Sequence, residues 1–225
     1  MLKSDNIDEE FEKFISIEDE FTYKNNSNLS NISNINIKPD TSIIRCNFTP
    51  LSLSYLLNKK EMFKYFLDYC NIDEVDTLQY SILHYAVLKE DIVTAKLLLE
   101  NGANINLYHH FNGRLHSAFD MAIAIGNDEL FNLFIDSGKV LLDQPNQRKE
   151  TPLVSIINHP LLELETKKRW IEKLIEKGAN VDLINIGEYC ALAQTVKCHS
   201  LELMKFLVEE YHAKIDIMIK IMIVL

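Results

Sequence analysis

The sequence GANIN at residues 102–106 returns as GANVD at residues 178–182, and each copy directly follows an apolar run typical of a helix. Weaker copies of the string end at Asp73, Asp143 and Asp216. A short string that recurs along a chain of 225 residues indicates an array of repeats rather than one irregular core. We therefore expect extended surfaces that bind other molecules, and no pocket for chemistry.

The last polar residue of each copy, called the anchor below, gives the period of the array. The anchors are Asp73, Asn106, Asp143, Asp182 and Asp216. Their spacings are 33, 37, 39 and 34 residues, so the base period is 33 and the longer intervals contain insertions. A period of this size marks a stack of small units made of helices and turns.

Each unit also carries signals for the start and the end of a helix. Thr-Pro-Leu at residues 49–51 and 151–153 predicts a helix start, because the threonine hydroxyl caps free N–H groups and proline suits the first helical position. The equivalent place in the other units is held by Ser81, Ser117 and Cys190. Glycine adopts the left-handed conformation that ends a helix without steric cost. Glycines fall at such ends at Gly102, Gly138 and Gly178.

Residues 81–106, SILHYAVLKEDIVTAKLLLENGANIN, resemble a near-complete ankyrin repeat, with a TPLH-type start, the central Ala86 and the GANIN end. The resemblance implies an all-α fold, an ankyrin-repeat solenoid of stacked helix-turn-helix units with protruding turns. It also implies that His84 has a structural, hydrogen-bonding role and no catalytic one. We place the ankyrin-repeat domain at residues 47–216, with units at about 49–75, 76–107, 108–143, 144–183 and 184–216.

Three segments lie outside the predicted repeats. Residues 1–23 are acidic with one apolar stripe, which predicts an amphipathic helix that either caps the first repeat or docks into another protein. Residues 24–46 are rich in asparagine and serine, as in a flexible linker. Residues 217–225 form a short apolar tail, which is either the scar of a truncated array or a segment that packs on the fifth unit.

Composition and charge disfavour several classes of function. The net charge is −10, of which −6 falls in residues 1–22, and the longest basic run is residues 167–169, so nucleic-acid binding is disfavoured. We find no secretory signal, no membrane span, no disulfide or zinc spacing among the four cysteines and no motif of an enzyme or a cofactor site. We predict a cytoplasmic protein, although export without a Sec-type signal or delivery into a host cell stays open.

The ankyrin resemblance implies protein binding through the concave face and the turn tips. We predict a monomeric, non-enzymatic interaction module without a cofactor, an adaptor or a host-directed effector; the alternative is a truncated remnant without a selected partner. The candidate contact residues at the tips are Asp76, Thr77, Gln79, His109, His110, Phe111, Asn112, Gln147, Arg148 and Glu188.

Two places break the regular spacing. The tip at residues 109–116, HHFNGRLH, permits three interpretations: a solvated loop, a partner contact anchored by Phe111, or a metal site formed by His109, His110 and His116. The insertion at residues 158–165, NHPLLELE, favours leucines packed under the loop over leucines that bind a partner. We interpret Trp170, which follows this insertion, as a core residue.

Zinc separates the metal interpretation of the histidine-rich tip from the other two. A metal site predicts that added zinc shifts the thermal unfolding midpoint of the protein, because a ligand of the folded state stabilises it. The solvated loop and the partner contact predict no shift. Thermal unfolding with and without zinc is the measurement.

Overall fold

The computed structural model describes residues 48–77, 79–111, 114–146, 148–184 and 190–216, of which residues 109–111 and 114–115 are described by their backbone alone. The predicted amphipathic helix at residues 1–23, the predicted linker at residues 24–46 and the predicted tail at residues 217–225 lie outside these ranges and stay predictions.

Ten α-helices form five consecutive pairs in the described part of the chain. The pairs are α1 Pro50–Leu56 with α2 Lys60–Tyr69, α3 Ile82–Leu88 with α4 Ile92–Glu100, α5 Ala118–Ile125 with α6 Asp128–Asp136, α7 Pro152–Asn158 with α8 Leu164–Glu176, and α9 Ala191–Lys197 with α10 Leu201–Glu209. Two short strands, β1 His109–Phe111 and β2 Arg114–His116, form a hairpin between the second and third pairs. The predicted helical solenoid is confirmed, with this hairpin added at one tip.

The helices lie in two layers. The first helix of each pair contacts the first helix of the next, in the order α1, α3, α5, α7 and α9. The second helices pack behind them, where α4 contacts α6 and α8 contacts α10. Each inner unit is therefore sandwiched between two neighbours, and this explains why residues 82–87 are all buried.

The predicted helix starts are confirmed by their hydrogen bonds. Thr49 Oγ1 accepts the Ser52 N–H at 3.1 Å, and Ser117 Oγ accepts the Asp120 N–H at 3.1 Å. Cys190 serves in the same way through its sulfur, which lies 3.3 Å from the Ala193 nitrogen. A thiol at this position is thus a capping group.

His84 belongs to the start of α3. Its Nδ1 lies 2.8 Å from the Ser81 hydroxyl and 3.4 Å from the Ser81 nitrogen, and the side chain is fully buried. Since the Ser81 N–H donates to Nδ1, the imidazole is an acceptor that holds the first turn of the helix. Its predicted hydrogen-bonding role is confirmed.

The second helices end as predicted wherever glycine is present. Gly102, Gly138 and Gly178 have φ values of 91°, 68° and 106°. In the fifth unit His212 takes the same left-handed conformation at φ 54°, whereas Cys70 in the first unit is extended at φ −97°. The first unit therefore lacks the left-handed residue that ends the second helix in the later units.

The anchors connect each unit to the next. The Oδ1 atom of each of four anchors accepts a backbone N–H from the following unit: Asp73 from Asn104 at 2.9 Å, Asn106 from Leu141 at 3.0 Å, Asp143 from Asn180 at 2.9 Å and Asp182 from Lys214 at 2.9 Å. The donor always lies two residues before the next anchor. The recurring polar residue is thus a joint between units as well as the start of a turn.

Aromatic rings fill the centre of the array. The Trp170 indole stacks on the Phe131 ring of the preceding unit, with centroids 4.1 Å apart and planes 2° from parallel. Its Nε1 donates to Asp128 Oδ1 at 2.6 Å, which satisfies the buried N–H. The interpretation of Trp170 as a core residue is confirmed.

Replacing Asp143 by alanine removes the acceptor of the Asn180 N–H between the third and fourth units. We expect the free energy of unfolding to fall by about 1–2 kcal/mol, because a hydrogen bond to a charged acceptor contributes about that much. Urea unfolding measures the loss. Glu100→Ala, at an exposed carboxylate that ends α4, is the control. An equal loss of stability in both variants would contradict the role of the Asp143 hydrogen bond in joining the two units.

Candidate protein-binding surface

Two of the predicted tips have the same turn, placed five residues before a helix cap. At the first, the Asp76 N–H donates to the Tyr80 carbonyl at 3.1 Å and the Gln79 N–H to the Asp76 carbonyl at 3.0 Å. At the second, the Asn146 and Lys149 N–H groups make the matching bonds at 2.8 and 2.9 Å. The fourth residue of each turn is left-handed, with φ values of 66° at Gln79 and 62° at Lys149. The two tips therefore share one backbone geometry.

The side chain of Asp76 is buried and forms hydrogen bonds within the protein. Asp76 is 4% exposed, its Oδ1 accepts the Tyr80 N–H at 3.0 Å, and its Oδ2 accepts the Tyr85 hydroxyl. Asp76 therefore stabilises the turn, and we no longer count it among the candidate contact residues. Asn146 has the same task, because its Oδ1 accepts the Arg148 and Glu150 N–H groups at 2.9 and 3.1 Å.

A spacing in the sequence could have revealed this task. The residue five positions before the cap is aspartate or asparagine in the second to fifth units: Asp76, Asn112, Asn146 and Asn185. Asn112, another candidate contact residue, shares this position but lies outside the described residues. Short polar side chains that bond to a nearby backbone N–H are typical of such turns.

The remaining candidates differ in how far they are available to a partner. Thr77 and Gln79 are exposed at the first tip, and Lys149, which sequence reasoning missed, is exposed at the second. Arg148 is half-buried. Gln147 and Glu188 lie outside the described residues.

The tip with three histidines is a short hairpin. β1 pairs antiparallel with β2, with His109 opposite His116, His110 opposite Leu115 and Phe111 opposite Arg114. The two paired strands make this tip longer than the two turns described above. The side chains of His109, His110 and Phe111 lie outside the described part of the structure, and the choice among a loop, a partner contact and a metal site stays open.

Below the hairpin lies a buried carboxylate. Asp120 accepts the Ser117 N–H at 3.0 Å and the Ser117 hydroxyl at 2.8 Å. Burial raises the pKa of Asp120, against the effect of these hydrogen bonds and of the charges of His116 and Arg148. Arg148 is thus an electrostatic partner of a carboxylate in the preceding unit, which reduces its availability to another protein.

Comparison with known proteins identifies the array. The family model for ankyrin repeats matches residues 23–109 in three copies. In the crystal structure of the ankyrin repeat domain of Bcl-3, described as a unique member of the IkappaB protein family, 73% of the chain aligns with 75% of this one, at 20% identity and a TM-score of 0.61. Residues 23–109 therefore match ankyrin repeats in sequence, and the array as a whole has the fold of an ankyrin-repeat solenoid.

Two further likenesses are more limited. The crystal structure of EF0377, an ankyrin repeat protein, aligns with 71% of this chain over 96% of its own, at 20% identity and a TM-score of 0.46. Alpha-latroinsectotoxin-Lt1a from Latrodectus tredecimguttatus is 28% identical over 141 residues. This alignment takes in 60% of the present chain but 9% of the toxin's length.

In the fourth ankyrin unit the insertion folds against the third. His159 is 2% exposed; its Nδ1 accepts the Leu161 and Leu162 N–H groups at 3.2 and 3.0 Å, and its Nε2 lies 3.1 Å from the Ala124 carbonyl oxygen. Because Nδ1 accepts two N–H groups, the proton of a neutral ring is on Nε2 and is donated to Ala124. One imidazole thus fixes the inserted loop to the preceding unit.

The leucines of the insertion divide between packing and exposure. Leu162 and Leu164 pack against the core, as predicted. Leu162 also covers the turn at Gly126, where an added Cβ would lie 3.4 Å from its Cδ2. Leu161 is 64% exposed and is the leucine of the insertion that a partner could reach.

The rest of the described ankyrin array offers little for other chemistry. Within the described ranges, no cluster of three or more histidine, cysteine, aspartate or glutamate side chains is placed to hold a metal ion. No helix in the same ranges has the length and apolar character needed to cross a membrane. Lys167 and Arg169 of the basic run bond to the Ile157 carbonyl at 2.8 Å and to Asp128 at 2.7 Å.

The buried His159 predicts a loss of stability in mild acid. Burial, aided by the charge of Lys167, lowers its pKa from the ordinary value of 6.5 despite the favourable Ala124 carbonyl. The neutral ring therefore stabilises the fold fully above about pH 6.5, and this contribution is lost as the pH falls below that value. We expect the difference in unfolding free energy between the wild type and His159→Gln to shrink from pH 7.5 to pH 5.5.

Urea unfolding at each pH measures this difference. The carboxylates with raised pKa values, Asp120 and Glu150, are common to both proteins and cancel. His199→Gln, at an exposed histidine, is the control for the substitution itself. A gap between wild type and His159→Gln that stays constant would show that the imidazole is not held neutral.

Proposed function

We propose that this protein is a non-enzymatic interaction module that binds another protein with its turn tips and the adjoining concave face. Ankyrin repeats act in general as modules of protein–protein interaction. The observation that carries the proposal is the pair of matched tips, in which Asp76 and Asn146 hold the turn from inside while Thr77, Gln79 and Lys149 are exposed. Such tips present side chains that vary without cost to the core.

The contact surface that we propose is smaller than the set inferred from the sequence. It contains Thr77, Gln79 and Lys149, with the histidine-rich hairpin between these two tips as a third contributor. Asp76 is excluded because its carboxylate is buried. Arg148 contributes less because it is half-buried and its charge interacts with Asp120 and Glu150. The role of an adaptor or a host-directed effector, and a monomeric state in the cytoplasm, belong to this proposal.

A pull-down with matched variants tests the proposal. The tip variant combines Thr77→Lys, Gln79→Lys and Lys149→Glu, and the control is Lys96→Glu at an exposed residue of α4 in the layer of second helices. We expect the tip variant to bind a specific partner at least about tenfold more weakly than the wild type, because a few exposed residues dominate most interfaces. The control should bind as the wild type does.

Two outcomes would speak against the proposal. Equal binding by the tip variant and the wild type would place the contact elsewhere on the array. Failure of the wild type to retain any specific partner would favour the alternative of a remnant without a selected partner.

A further inference from the structure

The edge of the array opposite the tips contains an exposed leucine whose backbone is fixed. The two helices of each unit are joined at this edge, because each tip leads into the start of a first helix. In the fourth unit the joining segment is the insertion, and Leu161 there is 64% exposed. Its backbone N–H donates to Nδ1 of the buried His159, which also bonds to the Ala124 carbonyl of the third unit. The Leu161 side chain therefore extends from a preorganised backbone, which lowers the entropic cost of a contact.

A second exposed apolar side chain on this edge, Val93, departs from the pattern of the other units. Two residues after the cap of the second helix, the other four units carry exposed glutamates: Glu61, Glu129, Glu165 and Glu202. A carboxylate is favourable there because it lies at the positive end of the helix dipole. The second unit carries Val93 instead, which is 80% exposed. Neither the helix dipole nor burial in the core favours valine at this place, whereas contact with another molecule accounts for it.

An open cavity of about 450 Å³ lies on the same edge, at the junction of the second and third units. Val93 directly follows Ile92, which lines the cavity. Leu161 directly precedes Leu162, which lies against the lining residue Gly126. Two isoleucines that pack against the core form the apolar part of the lining. We call Val93, Leu161 and this cavity the turn-edge surface; it extends across three units.

The cavity carries negative charge. It is lined by the carboxylates of Glu90, Asp128 and Glu129. Asp128 is paired with Arg169 at 2.7 Å, whereas no salt bridge in the described part of the chain joins Glu90 or Glu129 to a cation. Glu90 accepts a hydrogen bond at 2.7 Å from the neutral side-chain amide of Asn127. The cavity is therefore complementary to a cationic side chain, whose aliphatic stem fits the apolar part of the lining.

We propose that the turn-edge surface binds a segment of a partner protein in which a lysine or an arginine is flanked by apolar residues. The cation enters the cavity and faces Glu90 and Glu129, while an apolar side chain of the segment covers Leu161 or Val93. Charge complementarity selects this segment over an acidic one. The surface lies on the edge opposite the tips, so the proposal goes beyond the proposed function and holds whether or not the tips bind a partner.

Short peptides test the proposal on the full-length protein labelled with nitrogen-15. Each acetylated peptide carries a leucine and a C-terminal arginine amide, separated by none to three glycines. We expect at least one of them to shift the amide NMR signals of Gly126, Glu129 and Leu161 saturably. The same peptide with citrulline, which has the shape of arginine without its charge, should bind at least about tenfold more weakly, because it loses the charge-assisted hydrogen bonds.

Two results of the titration would overturn the proposal. The first is that no arginine peptide shifts these three signals, or that the shifts appear at Gln79 and Lys149 of the tips instead. The second is that the citrulline peptide binds as tightly as the arginine peptide. Neither result bears on the tips, whose role is decided by the pull-down with the tip variant.

Variants separate the charged part of the turn-edge surface from the apolar part. Glu90→Gln combined with Glu129→Gln should weaken the arginine peptide at least about tenfold and leave the citrulline peptide unchanged, because only the charge is removed. Leu161→Ser should weaken both peptides by the same factor. Glu209→Gln, at an exposed carboxylate of the fifth unit, is the matched control and should bind as the wild type does. Equal binding of the arginine peptide by the double variant and by Glu209→Gln would overturn the role of the two carboxylates.

Discussion

The structure depends on a hydrogen bond between each anchor side chain and the backbone of the next unit. Four such bonds, all between 2.9 and 3.0 Å, follow one another along the chain. The hydrophobic effect that buries the helix faces is non-directional and does not by itself fix how neighbouring units are aligned. An acceptor that meets one N–H in the next unit fixes the register of the stack, as a ladder bond does between strands. The apolar faces of neighbouring units are thereby held in one alignment.

This arrangement explains why the array tolerates interruptions. The anchor intervals of 37 and 39 residues contain the hairpin and the loop at residues 158–165. The bonds at Asn106 and Asp143 are nevertheless 3.0 and 2.9 Å long, against 2.9 Å at Asp73. The extra residues lie between anchors, at a tip or between two helices, where added length costs little loop entropy. Each interruption then acquires contacts of its own, such as those of His159 with the preceding unit.

The sequence predicts the repeats, the helix starts and ends and the burial of Trp170 because these depend on local pattern and on residue type. The role of Asp76 is visible only in the aspartate or asparagine that recurs five residues before the caps, and the role of His159 is not predicted. An aspartate at a tip is the same residue type whether it faces solvent or Tyr85, and the distinction depends on a side chain nine residues away. The partners of His159 are main-chain groups, including a carbonyl 35 residues away, and no residue type marks such a group. The sequence therefore locates the turn tips, but residue type alone does not separate a tip residue that holds the turn from one that is exposed.

The stack of Trp170 on Phe131 also provides an intrinsic fluorescent probe of the centre of the array. Trp170 is the single tryptophan in the sequence, and it is fully buried at the junction of the third and fourth units. Its fluorescence therefore reports the opening of that one junction, whereas circular dichroism averages over all helices. In a stack whose units touch mainly their neighbours, the ends can fray while the centre holds. The unfolding midpoints measured by tryptophan fluorescence and by circular dichroism then differ. The size of the difference measures how independently the units unfold.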